Sequence, residues 1–128
     1  MTGGAAALYA LDVPRVAAFY VAVAGLKATE TEPAYIVLES SDFELSIIEV
    51  PPLLAAEIEI SAPPVPREET PIKLAFFVPS IAEARGVAGS FGGVIDPTER
   101  EWTFRGHRIC DGHDPEGNVL QLREPLID

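Results

Sequence analysis

The chain has 128 residues, 48% of them hydrophobic, enough for one domain or for two small halves sharing a core. Twenty acidic against nine basic side chains give a formal net charge of −11, a field that repels phosphate backbones and anionic lipid and leaves nucleic acid and membranes as poor partners. No apolar run approaches the ~20 residues that span a bilayer, and the single cysteine, Cys110, excludes an internal disulfide framework and fits a reducing cytoplasm.

The N-terminal stretch "MTGGAAALYALDVP" lacks a basic region and runs straight into a helix signal, so "ALYAL" reads as a core strand and not as a signal peptide. Asp12 is a good N-cap with Pro14 in the first turn. Apolar residues at Val16, Phe19, Tyr20 and Val23 then mark one helix face, and Gly25 offers a stop. A short strand near Ala28–Glu32 and two clearer ones, "AYIVLES" and "FELSIIEV", follow, the latter pair separated by Ser40–Asp42. Residues 51–71 hold six prolines and read as a semi-rigid linker with one helical turn near Leu53–Glu57.

The second half repeats the device. The strand "IKLAFFV" leads to Ser80 and Glu83, spaced as a capping box in which each side chain satisfies the other's amide. Ala84, Val87, Ala88 and Phe91 supply the apolar stripe and Gly93 the stop. A short strand at Val94–Ile95, one longer strand "WTFRGHRICD", the turn Asp114–Gly117 and the strand "NVLQL" complete it. Asp12 and Ser80, Val16 and Ala84, Phe19 and Val87, and Gly25 and Gly93 all stand 68 positions apart, which argues for an internal repeat. The expected fold class is α+β. Two β-α-β-β-β modules, residues 4–50 and 72–125, flank the linker within a single domain.

The segments "DVPRVAAFYVAVAGL", "IKLAFFVPSIAEA" and "HDPEGNVLQLRE" resemble the vicinal oxygen chelate superfamily of glyoxalases, bleomycin-resistance proteins and extradiol dioxygenases. The Asp-Pro-Glu-Gly-Asn turn before an apolar strand is the most specific piece. The resemblance implies sheets curled into a cupped half-barrel around a small-molecule cavity, and a homodimer. It leaves the chemistry open, because the superfamily contains both enzymes and binders.

In metal-dependent relatives the ligands project from the first and last strand of each module. Carried over, those places are Ala5, Ser46, Lys73 and Gln121. Alanine has no donor, and a lysine must first lose its proton, at ~4–5 kcal/mol near pH 7. Serine and glutamine are weak beside the histidines and carboxylates that transition metals favour. No metal and no cofactor is therefore expected. A relocated site on "HRICDGHD" could at most join Asp111 to His113, since His107 lies ~13 Å from Asp111 on an extended strand. Cys110 reads as a small buried hydrophobe in preference to a catalytic thiol.

Alternation along the strands, given that sidedness, places Tyr9, Glu44, Ser46, Lys73, Phe77, Gln121 and Arg123 on the cup wall, with Trp102 near its mouth and His107 on a middle strand. These nine are the expected ligand-binding residues. Leu8, Leu74, Phe76, Val78, Leu120 and Leu122 fall on the opposite, helix-covered rows. Lys73 could hold a ligand carboxylate or phenolate, act as a catalytic amine, or simply pair with Glu44 or Glu49. The reading taken is metal-free binding of a small molecule, cationic or planar and aromatic. Alternatives are a metal-dependent lyase or dioxygenase, a metal-free enzyme using Lys73, Glu44 or His107 as acid–base groups, and an interaction domain.

Overall fold

A computed structural model of the chain describes residues 3–127. The first strand, β1 (Gly4–Ala10), ends at Asp12, whose carboxylate accepts from Arg15 N–H at 3.2 Å and starts α1 (Val13–Ala24). Gly25 takes the left-handed conformation, φ 72°, that ends the helix. Three strands follow: β2 (Lys27–Glu32), β3 (Tyr35–Glu39) and β4 (Phe43–Glu49). The linker contains a four-residue helix, α2 (Pro52–Ala55). Then come β5 (Leu74–Phe77), α3 (Ile81–Ala88), β6 (Val94–Ile95), β7 (Trp102–Phe104), β8 (His107–His113) and β9 (Val119–Pro125).

The strands form two sheets with one topology. The first has the order β1-β4-β3-β2, and the second β5-β9-β8 with β6 and β7 both paired to β8. In each sheet the strand before the helix lies parallel to the last strand, and the other pairings are antiparallel. The registers coincide as well: Ala7 faces Ser46 as Ala75 faces Gln121. Since Ala7 and Ala75 are 68 positions apart, the repeat read from the helices extends through the sheets.

One face of each sheet is covered by helix and the other is open. Along β1, Ala10 is buried while Ala5, Ala7 and Tyr9 are exposed. Along β9, Leu120 and Leu122 are fully buried while Val119, Gln121 and Arg123 are partly exposed. A single core runs between the modules. Tyr20 on α1 stacks against Phe76 on β5 with centroids 5.6 Å apart, and Phe43 on β4 meets the same ring at 6.0 Å. Burying such side chains stabilises the fold by roughly 1.5–3 kcal/mol each, and residues of both halves share the one buried cluster.

The structure corrects several local expectations. "WTFRGHRICD" is not one strand but the β7–β8 hairpin, turned at Arg105 (φ 49°) and Gly106 (φ 76°). Two successive positive φ values give the turn type whose twist matches paired strands. At α3, Ser80 Oγ accepts from Glu83 N–H at 3.1 Å, but the reciprocal bond is absent: Glu124 on β9 caps Ile81 N–H at 2.7 Å. The buried stripe of α3 is Ile81, Ala84 and Ala88, with Val87 and Phe91 partly exposed. A 3-10 turn extends the helix, so Gly92, not Gly93, takes the left-handed stop. Gly93 is required for another reason: a Cβ there would collide with the Phe19 ring and the His113 carbonyl.

Candidate functional site

The turn before β9 joins the modules. Asp114 is fully buried, and its Oδ1 accepts from Glu116 N–H at 2.8 Å and Asn118 N–H at 3.0 Å. Its Oδ2 accepts from Asn118 Nδ2 at 2.8 Å and from the Tyr20 hydroxyl at 2.9 Å. Burial, reinforced by the Asp114 charge, holds the Tyr20 phenol well above its ordinary ionisation range. Glu116 reaches back across the core: Oε1 accepts from Leu11 N–H at 2.9 Å and Oε2 from Asp12 N–H at 2.8 Å. A carboxylate beside the N-terminus of α1 also complements the helix dipole. The most specific motif of the sequence is thus a clasp between halves.

The second sheet's open face carries a continuous polar band. Lys73 Nζ lies 2.7 Å from Asp111 Oδ2, Gln121 Nε2 donates to Asp111 Oδ1 at 3.2 Å, and Arg123 Nε donates to Gln121 Oε1 at 2.9 Å. The cross-strand register makes this possible, because Asp111 stands opposite Gln121 and Gln121 opposite Ala75. Gln121 therefore uses its amide in both directions, donating to a carboxylate and accepting from a guanidinium. A glutamate there would accept from Arg123 but repel Asp111.

Beside the band lies an aromatic bay. Phe77 is 67% exposed, Phe104 50% and Trp102 43%, although all three are large and apolar. They surround Ile109, which shares their face through the Trp102–Ile109 and Ile109–Arg123 pairings and is only 1% exposed. His107 meets Phe77 edge to face at 5.1 Å, and the Arg123 guanidinium lies over Phe104 at 5.6 Å. His107 Nδ1 stands 2.9 Å from the Arg105 carbonyl, which can only accept, so Nδ1 carries a hydrogen. On the other side of the band, linker residues Pro66 and Thr70 roof a cavity of about 360 Å3 over Lys73, Asp111 and His113.

Of the expected site residues, Lys73, Phe77, Trp102, His107, Gln121 and Arg123 stand together on this face. Tyr9, Glu44 and Ser46 stand apart, on the open face of the first sheet. Tyr9 borders a different cavity of about 550 Å3 beside α2, with Val50, Leu54 and Ile58. Lys73 pairs with neither Glu44 nor Glu49, as the sequence reading allowed, but with Asp111, and its side chain is 40% exposed. It is neither a buried amine nor a free cation. Read as one strand, "WTFRGHRICD" sends Trp102 and Phe104 to one face and His107 and Ile109 to the other; the fold at Arg105-Gly106 brings all four to the same face.

The four places that metal-dependent relatives use do not form a donor set here. Ala5 and Ser46 lie in the first sheet, the Lys73 ammonium is held by Asp111, and Gln121 is committed at both ends of its amide. Asp111 and His113 do not form a pair of ligands either. Both Asp111 oxygens are engaged, and His113 Nδ1 is turned to the Asp114 carbonyl at 3.0 Å. Among the described residues no three histidine, cysteine or acidic side chains converge as metal ligands. Cys110 is buried on the helix side, where desolvation pushes its thiol up despite the Arg85 guanidinium at 3.6 Å.

No protein-family model and no curated protein sequence matches this chain. Solved structures do. A glyoxalase/bleomycin resistance protein/dioxygenase family enzyme from Burkholderia phytofirmans PsJN superposes with a TM-score of 0.69 at 17% identity, covering 95% of this chain and 97% of the other. A bleomycin resistance determinant encoded on transposon Tn5 gives 0.62 at 16% identity over 99% and 100% of the two chains. An antibiotic-binding protein from Streptomyces sp. CB03234 gives 0.64 at 16% identity over 98% and 97%. Identities this low speak to architecture and not to activity. With nearly whole-chain coverage on both sides, the chain has the fold of these glyoxalase/bleomycin-resistance/dioxygenase structures.

Proposed function

We propose that the protein binds a planar small molecule on the open face of its second sheet, without a metal ion. One observation carries this reading: Phe77, Trp102 and Phe104 are grouped on one face with their rings toward solvent, next to a polar band already organised by hydrogen bonds. Folding normally hides large aromatic side chains, and a rimmed apolar patch is the ordinary signature of a binding surface. Two of the structural neighbours are a bleomycin resistance determinant and an antibiotic-binding protein, which is consistent with sequestration of a small molecule. The donor chemistry at Ala5, Ser46, Lys73 and Gln121 supports the metal-free part.

The same reading takes the protein as a cytoplasmic homodimer. The buried free thiol fits a reducing compartment, and the exposed Tyr9 leaves apolar surface on the first sheet, away from the bay, for a second copy. Sedimentation velocity tests the dimer, with a monomer at micromolar concentration refuting it. Trp102 is the sole tryptophan, so its fluorescence reports on the bay directly. Titration with planar aromatic compounds and cationic glycopeptides should give saturable quenching for at least one class, unchanged after dialysis against a chelator. No response in any class, or a response that disappears with the chelator, would reject the proposal.

A further inference from the structure

The second sheet's open face carries two cations in different electrical states. Lys73 is 2.7 Å from Asp111 and is neutralised there. Arg123 has no carboxylate partner among the described residues. Its Nε is tied to Gln121 Oε1, which fixes the plane of the guanidinium, and its Nη groups remain available at the edge of the bay over Phe104. A fixed, planar fork beside exposed rings is suited to two parallel hydrogen bonds to a carboxylate carried by a stacked ring.

The chain's net charge of −11 argues the other way, toward cationic ligands. Distance decides between them. At physiological ionic strength, exposed charges beyond roughly 8–10 Å are largely screened, so the group in contact with the ligand sets the preference and the rest of the field modulates the rate of arrival. We infer that the bay selects planar aromatic ligands bearing a carboxylate or phenolate, with Arg123 as the specificity-determining residue. This rests on the aromatic bay being the binding surface, as proposed above.

The test compares three probes of one shape by Trp102 quenching and calorimetry: 2-naphthoate, 2-naphthalenemethanol and 2-naphthylmethylammonium. The expected order places naphthoate roughly 10- to 100-fold tighter than the alcohol, the range for a charge-assisted fork. Arg123→Gln should abolish the advantage of naphthoate over the alcohol. Arg123→Lys, which keeps the charge and loses the fork, should retain only part of it. Equal affinities for the three probes, tightest binding of the ammonium, or a naphthoate preference that survives Arg123→Gln would overturn the inference and leave the bay standing as a binding surface. Silence from all three probes would overturn both.

Discussion

Glu116→Gln isolates the clasp between the modules. The substitution preserves shape, so no cavity is created. It changes one acceptor oxygen into an NH2 group that faces a backbone N–H, either Leu11 or Asp12, now 2.9 and 2.8 Å from the carboxylate. Neither backbone donor can turn away, and flipping the amide only exchanges which one is confronted. Bonds from neutral donors to a buried carboxylate contribute roughly 1.5–3 kcal/mol each. One is lost, the other falls to the neutral range, and a favourable charge at the N-terminus of α1 disappears. The expected loss is about 2–4 kcal/mol, or about 8–15 °C in melting temperature for a chain of this length. Urea denaturation followed by circular dichroism measures it, and the denaturant slope should not change, because the surface exposed on unfolding is the same. A loss below about 0.5 kcal/mol would refute the claim that this motif holds the halves together.

Three further outcomes follow from the geometry. Tyr20→Phe should cost roughly 1.5–3 kcal/mol by removing the donor to buried Asp114. The folded phenol resists ionisation, so its stabilisation is complete below pH ~10 and lost as pH rises beyond; melting temperatures between pH 9 and 11 should fall more steeply for the wild type than for the variant. Gln121→Glu sets a second carboxylate against Asp111 and neutralises Arg123, so naphthoate affinity should drop at least about tenfold in a quenching titration while that of the neutral alcohol holds. Gly117→Ala should destabilise by about 2 kcal/mol or more, since φ is 84° and a Cβ would collide with the Val65 carbonyl of the linker; thermal melting checks this.

Local signals in the chain mark local structure well. The caps at Asp12 and Ser80, the alternation along β1 and β9, and the left-handed Gly25 are each decided within a few residues, so they are visible without a partner. What escaped reading depends on distant partners. The ion pair of Lys73 joins residues 38 positions apart and follows from β9 lying between β5 and β8, an order no local pattern encodes. Glu116 looks like a turn residue and acts 104 and 105 positions away. The β7–β8 hairpin is not legible locally because Arg105-Gly106 lacks the Asn-Gly or Asp-Gly signature of its turn. Val87 and Phe91 match the helical period but stay partly exposed, Phe91 because the chain tightens into a 3-10 turn after Ala88.

The internal repeat shows where chemistry had room to diverge. On the helix-covered rows the modules correspond closely: Leu8 with Phe76, Ala10 with Val78, Leu45 with Leu120, Ile47 with Leu122, all apolar and all but Leu8 buried. Each polar replacement there would forfeit burial and strand a polar group, a combined penalty of several kcal/mol against a total stability of about 5–15 kcal/mol. The open rows face no such penalty, and they differ at nearly every step: Ala5 against Lys73, Tyr9 against Phe77, Ser46 against Gln121, Ile48 against Arg123. The first sheet keeps two alanines and Tyr9 along the open row of β1 with acids beyond, whereas the second has assembled two cations, an amide, an acid and three exposed rings. Since the shared skeleton is set by packing, the proposed selectivity for a ligand falls on the positions where the two halves disagree, and the pairing of cations with exposed rings at Lys73, Arg123, Phe77, Trp102 and Phe104 belongs to the second.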